Sequence, residues 1–318
     1  MKTFKRSLES ERLVTYSKEL FEAELQQRLN LTKVNAPLFV SQNSGLNDNL
    51  NGVEKPVTFK LGDEPHEIVH SLAKWKRWYL GQLGAQTGEG IVTDMKAIRA
   101  DEVVSPIHSH LVDQWDWEKV ITKEERTIET LISHATAVYD ALKVTDTIVS
   151  KKTGAVSSLP EKIKVIHTED LYKKHPELSP KEREHAIAKA YGAVLLIGIG
   201  DKLSCGDVHD FRAPDYDDWS TQDAQGKPGI NADVLVWDET RKKSLEISSM
   251  GVRVDEKALA HQLRLTGQEN RQTLPFHKAL LNGELPYTIG GGIGQSRVVM
   301  FVNKTAEIST VQPIFDTY

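Results

Sequence analysis

The sequence predicts an α+β protein built on a central, mostly antiparallel β-sheet flanked by helices. Three observations lead there. Strand-like runs come in adjacent, hairpin-like pairs: "DVLVW" at 233–237 and "SLEISSM" at 244–250 are separated only by the charged turn "DETRKK". Helical stretches do not alternate strictly with single strands, as a doubly wound parallel sheet would require. Further strand-like runs flank a glycine cluster, "TIGGGIGQSR" at 288–297, late in the chain.

Taken in order, residues 4–30 read as one long amphipathic helix, with Leu13, Leu20, Phe21, Leu25 and Leu29 at helical spacing. "LTKVNAPLFV" then turns extended, since Pro37 cannot continue a helix. "MKAIR" is strand-like and ends at Arg99, and a polar loop with Pro106, His108 and His110 follows. In "LVDQWDWE" strand alternation puts Asp113, Trp115 and Trp117 on one face and Gln114, Asp116 and Glu118 on the other. Thr122 and Glu125 have the spacing of a capping box, which predicts a second helix from Thr122 through Ile128, Leu131, Ile132, Ala135, Tyr139 and Leu142. "IKVIH" at 163–167 alternates like a short strand. Ser179, Pro180 and Glu182 fit the N-cap, first and third positions of another helix, ending at Gly192. "AVLLIGIG" suits a buried strand, and "DEKALAHQLRL" at 255–265 a further helix.

Composition bounds the function. The chain has 318 residues, 45 acidic and 40 basic side chains and a net charge of −5. That balance disfavours a broad nucleic-acid footprint, which needs a basic face. There is no long uncharged apolar run, the opening residues carry no apolar stretch so that no secretory leader is expected, and the one cysteine, Cys205, cannot form an internal disulfide. Without repeats or linkers, the expectation is a single domain over 1–318 in a reducing cytoplasm.

The glycine cluster is the first candidate site. It is not a Walker loop, because no Gly-Lys-Ser/Thr follows, and no third glycine completes a dinucleotide fingerprint. What remains is small residues, then a cation where a helix can begin. The glycines serve either thinness or dihedrals that side chains forbid, and a tight turn against a neighbouring strand reads equally well. A polar strand face at Gln114, Asp116 and Glu118 suits the floor of a polar ligand site, or a solvent-facing strand. Asp233 and Glu246, on adjoining strands, suit Mg²⁺ shared with phosphates, or a surface ion-pair cluster.

Together these stretches resemble the signature motifs of class II aminoacyl-tRNA synthetase catalytic domains. "LNLTKVNAPLF" is similar to motif 1, "IRADE" with "DQWDWE" to motif 2, "GGGIGQSR" to motif 3, and "LEISSMGVR" to the metal-binding strand before it. A closer likeness covers nearly the whole chain. "GLNDNLNGVEKPV", "VHSLAKWKRW", "GEGIVTDMKAIR", "RAPDYDDWS", "SSMGVRVD" and "ELPYTIGGGIGQSR" resemble the ammonia-dependent asparagine synthetase A family, aspartate–ammonia ligase.

That resemblance implies a reaction of L-aspartate, ATP and ammonia to L-asparagine, AMP and diphosphate through a β-aspartyl-adenylate. It implies that Arg99 holds the α-phosphate and that Arg297 binds adenine or the γ-phosphate. Gly290, Gly291, Gly292 and Gly294 keep the adenosine cleft open, and Ile107, Ser109 and Val112 flank the base. Asp233 and Glu246 hold Mg²⁺. Lys76 partners the aspartate carboxylate, and Gln114 and Asp116 read its polar groups. Asp48 and Asp217 handle ammonia or its proton, while Ser71, Arg212, Ser249 and Arg253 complete the shell. His70 is expected as a hydrogen-bonded support. The implied assembly is a homodimer without tRNA, other nucleic acid or membrane, since 318 residues leave no room for an anticodon-binding domain. A synthetase-like paralogue that passes the activated amino acid elsewhere, and an inactive subunit on the same fold, are the competing readings.

Overall fold

A computed structural model describes residues 7–48 and 54–312. The elements in order are α1 (Leu8–Leu29), β1 (Leu31–Lys33), β2 (Phe39–Ser41), β3 (Thr58–Leu61), β4 (Glu64–Ile68), α2 (Ala73–Leu83), β5 (Gly90–Ile98), β6 (Leu111–Val120) and α3 (Ile128–Thr153). Then come β7 (Lys164–His167), α4 (Thr168–Lys174), α5 (Pro180–Tyr191), β8 (Ala193–Ile197), β9 (Asn231–Asp238), β10 (Lys243–Val252), α6 (Glu256–Leu265), α7 (Pro275–Leu281), β11 (Thr288–Gly294) and α8 (Gln295–Val302).

The helix expected over 4–30 runs from Leu8 to Leu29, capped by Ser7 and stopped at Asn30 in the left-handed conformation. Residues 4–6 lie outside the described part. Its apolar stripe seats Phe21 on Trp115 of β6, ring centroids 4.7 Å apart. The second helix starts later than expected. Thr122 and Glu125 do exchange the reciprocal bonds of a capping box, but around a turn. The helix begins at Ile128, with the Thr127 hydroxyl accepting from the Thr130 N–H. Side-chain capping chemistry stabilises any turn that presents free N–H groups, so this signature alone did not fix the start. Ser179, Pro180 and Glu182 cap α5 as expected, and the helix closes at Gly192.

Eight strands form one sheet in the order β1-β5-β6-β11-β10-β9-β8-β7. The inner pairings are antiparallel, and only the two edge pairs, β1 with β5 and β7 with β8, are parallel. A three-stranded sheet, β2-β4-β3, was not foreseen, because its strands are short and lack clean alternation. One face of the large sheet is apolar. Trp115, Trp117, Ile247, Met250, Ile289 and Ile293 join side chains of α1, α3 and α8 in the main core. The expected alternation of β6 therefore holds, with its tryptophans inward. The opposite face, at β6, β11 and β10, carries the polar residues.

Candidate active site

The polar face is the floor of a cavity of about 420 Å³, in the range of small-molecule sites. Register fixes its layout. Gly294, Gly292 and Gly290 of β11 stand opposite Gln114, Asp116 and Glu118 of β6. The first two rows line the cavity, and the Gly290–Glu118 row lies just beyond them. The end near Gly294 receives Arg297 from the first turn of α8, Arg99 just after β5, and the loop with Ile107, His108 and Ser109. The end near Asp116 receives Lys76 of α2, with Asp217 and Arg253.

The glycine question has a steric answer. None of Gly290, Gly291, Gly292 and Gly294 has a positive φ. A methyl at Gly290 would stand 2.0 Å from Glu118 Oε2, and one at Gly292 would stand 2.7 Å from Gln114 Oε1. Glycine there lets a carboxylate and an amide lie flat across the neighbouring strand. Gly291 faces the other way, and a methyl on it would meet Met250 Cβ at 2.7 Å. The expectation for Gly290 is thereby corrected. Its space is filled by Glu118, so it shapes the ion cluster and does not line the cleft. Gly290→Ala should lower stability by about 1–3 kcal/mol through overpacking. A thermal melt equal to that of the parent would contradict this geometry.

The Asp116 end is densely charged. Lys76, 1% exposed, donates to Gly291 O at 3.0 Å and lies 3.6 Å from Asp116 and 3.8 Å from Glu118. Burial presses its pKa below the ordinary lysine value, while the two carboxylates pull against that. Arg253 donates from Nε to Glu118 Oε1 at 2.9 Å and from NH2 to Oε2 at 2.7 Å, and its NH1 bonds Asp217. Burial would raise the Glu118 pKa, but Arg253, Lys76 and Thr288 outweigh it and hold the group below its usual range. For Asp217 burial wins over Arg253 and Arg212, and its pKa is raised. A buried carboxylate with raised proton affinity is suited to receive a proton.

At the other end, Arg99 Nε is buried without a hydrogen-bond partner among the described residues. Its backbone is fixed by His110, which accepts from Arg99 N–H at 2.9 Å and approaches Arg99 O through Nδ1 at 3.2 Å. Arg297 NH1 reaches Glu246 O at 3.2 Å and its carboxylate at 3.5 Å. A β-bulge between Glu246 and Ser248 explains how Glu246 and Ser249, three apart, both reach the cavity. In a regular strand Ser248 would share the face of Glu246; its hydroxyl instead donates to Gly292 O.

Most residues expected at the site line the cavity. These include Asp48, Ser71, Lys76, Arg99 and Val112, as well as Gln114, Asp116, Asp217, Arg253 and Arg297. Arg212 and Asp233 do not. They pair with each other, NH2 lying 2.6 Å from both carboxylate oxygens. His70 is fully buried behind the wall, where its backbone N–H donates to Asn47 Oδ1 at 2.9 Å. Burial lowers its pKa, with Asp48 opposing.

Sequence reasoning missed Lys181, Tyr216, Ile308 and Gln312, which also line the cavity. Lys181 follows a capping proline on α5, and the last two follow the glycine motif without periodicity, so no signal marked them. Gln312 donates to Leu111 O and Asp113, and Ile308 N–H to Pro106 O, which fastens the loop above the Gly294 end.

Residues 8–316 match the family model described as aspartate-ammonia ligase. An aspartate–ammonia ligase of Clostridium perfringens is 50% identical over 308 residues, covering 96% of this chain and 89% of that protein. One of Bacteroides fragilis is 50% identical over 299 residues, 93% of this chain and 87% of that protein. Among solved structures, the asparaginyl-tRNA synthetase of Entamoeba histolytica with asparaginyl-adenylate aligns at a TM-score of 0.68 and 13% identity, over 96% of this chain and 67% of that one. That of Pyrococcus horikoshii, complexed with the same adenylate, aligns at 0.66 and 12%, over 95% and 68%. The structural likeness establishes a class II synthetase-type fold, and the match along nearly its whole length places this chain in the aspartate–ammonia ligase family.

Proposed function

We propose that the chain works as its family does, as an aspartate–ammonia ligase that activates the aspartate side chain as an acyl-adenylate. The observation that carries this is the single cavity in which Arg99 and Arg297 face one end while Lys76, Asp116 and Asp217 occupy the other. A free carboxylate has no leaving group for an amine to displace. Here a side-chain carboxylate oxygen of aspartate attacks the α-phosphorus of ATP, and diphosphate departs. Ammonia then attacks the acyl carbon, and AMP leaves with that oxygen.

Arg99 neutralises the α-phosphate as charge builds on it, its Nε lacking any protein partner among the described residues. Arg297 stacks on adenine or pairs with the γ-phosphate, and Ile107, Ser109 and Val112 flank the base. Lys76 holds the aspartate carboxylate, Asp116 takes the α-ammonium and Gln114 reads its polar atoms, while Ser71, Ser249 and Arg253 complete this shell. Asp217, with its raised proton affinity, and Asp48 handle the proton that ammonia sheds.

Asp233 and Glu246 would hold Mg²⁺, the pair of carboxylates such an ion takes beside a triphosphate. Burial and the adjacent Glu246 push the Asp233 carboxyl up to about 6 against the pull of Arg212. A divalent cation would relieve that repulsion, and Arg212 would release Asp233 to it. When bound, the ion would neutralise charge on the triphosphate.

The same reading makes the chain one catalytic domain, a homodimer through its first helix and strand, and a cytoplasmic enzyme. Among the described residues no helix is long and apolar enough to cross a membrane. Sedimentation should give twice the 35.6 kDa chain mass, and a fully active monomer would contradict the dimer. Incubation with aspartate, ATP, Mg²⁺ and ammonium, without tRNA, should yield asparagine, AMP and diphosphate. ADP and phosphate would point to an acyl-phosphate route and overturn the reading.

A further inference from the structure

Behind the Asp116 end lies a second charged cluster that does not touch the cavity. Asp215 is fully buried, and its Oδ2 gathers three groups: Lys74 Nζ at 2.9 Å, Arg271 NH2 at 2.9 Å and His277 Nε2 at 2.8 Å. Lys74 and His277 are also buried, and Arg271 nearly so. Burial would raise the pKa of Asp215, but Lys74, His277 and Arg271 hold it far below the carboxylate range, so the cluster has a permanent anion at its centre. An unpaired charge in such a place is costly, and each partner therefore fixes the position of the others.

The elements that supply these groups are the ones that deliver the amino-acid half of the site. Lys74 precedes Lys76 by two residues in the first turn of α2. Asp215 precedes Tyr216 and Asp217, both on the cavity wall. His277 packs on Gly45, three residues before Asp48: a methyl at Gly45 would meet His277 Nδ1 at 3.0 Å, and its φ of +75° favours glycine. Gln262 secures the same loop from below, donating to Pro214 O and Asp217 O at 3.0 Å each. By contrast, no group of this cluster belongs to β6, β11 or α8, which carry Arg297 and the glycines.

We propose that Asp215, with Lys74, Arg271 and His277, is a positioning cluster that sets Asp48, Lys76 and Asp217 for aspartate and ammonia and leaves the nucleotide end untouched. This rests on the ligase reading. The test is steady-state kinetics of Lys74→Met and Asp215→Asn beside the parent, varying each substrate, with a thermal melt of each protein. Lys74→Met leaves the carboxylate paired with Arg271 and His277, so it is the variant that folds if Asp215→Asn does not.

The expected result is a rise of at least about tenfold in KM for aspartate and ammonium, with KM for ATP within about threefold of the parent. A cluster that serves stability alone would lower the melting temperature and the active fraction but leave every KM unchanged. That outcome, or KM values rising together for all three substrates, overturns the proposal. If the parent itself makes no asparagine, the ligase reading fails first and the cluster has no amino-acid site to hold.

Discussion

Arg99→Ala should abolish aspartate-dependent exchange of labelled diphosphate into ATP, by about a hundredfold to a thousandfold, while the protein stays folded. The size follows from removing a preorganised charge from the place where charge develops, which costs about 3–4 kcal/mol of barrier in comparable sites. The fold should tolerate the change. Arg99 Nε has no hydrogen-bond partner among the described residues, and the bonds that anchor the segment run through backbone atoms to His110. A stability change within about 0.5 kcal/mol is therefore expected. Unchanged exchange in a folded variant would remove Arg99 from the reaction.

Arg253→Met should have the opposite signature, a large loss of stability together with loss of activity. Arg253 makes a two-point contact with Glu118 and a further bond to Asp217, all of them buried. Removing the guanidinium leaves two buried carboxylates without their main cation, a change worth about 3–5 kcal/mol. The pH dependence carries the sign. In the parent, the folded pKa of Glu118 lies below the ordinary 4.5, so its stabilisation is present above that value and is lost as pH falls through the folded pKa. In the variant, burial acts on Glu118 without Arg253 and raises its pKa, so acid relieves the unpaired charge. The stability gap between the two proteins should be widest near neutrality and narrow on acidification, measured by denaturant unfolding across pH. A gap that widens in acid would contradict the assignment.

How much of this was legible beforehand depended on how local the signal was. Alternation in "LVDQWDWE" placed the tryptophans in the core and Gln114, Asp116 and Glu118 on the site face, because a strand's two-residue period survives whatever packs on it. The hairpin of β9 and β10 was equally readable from the turn between them. The bulge at Glu246 was not, since an extra residue leaves no mark in composition; Ser249, expected in the site through the family resemblance alone, reaches the cavity because of it. The start of α3 was misplaced because Thr122 and Glu125 satisfy a turn with the bonds that would open a helix. Lys74 lies two residues from Lys76, yet only tertiary structure shows that one meets Asp215 and the other the cavity. The engagement of Asp233 by Arg212, twenty-one residues away, is likewise a contact that spacing cannot reveal.

The proposed reaction turns on one bond, between a side-chain oxygen of aspartate and the α-phosphorus of ATP. Aspartate labelled with ¹⁸O in its side-chain carboxylate tests it directly by mass spectrometry of the products. One labelled oxygen should appear in the phosphate of AMP for each asparagine formed, and none in diphosphate. Label in diphosphate or inorganic phosphate, with unlabelled AMP, would mean that the carboxylate attacks elsewhere and that the two arginines frame a different reaction.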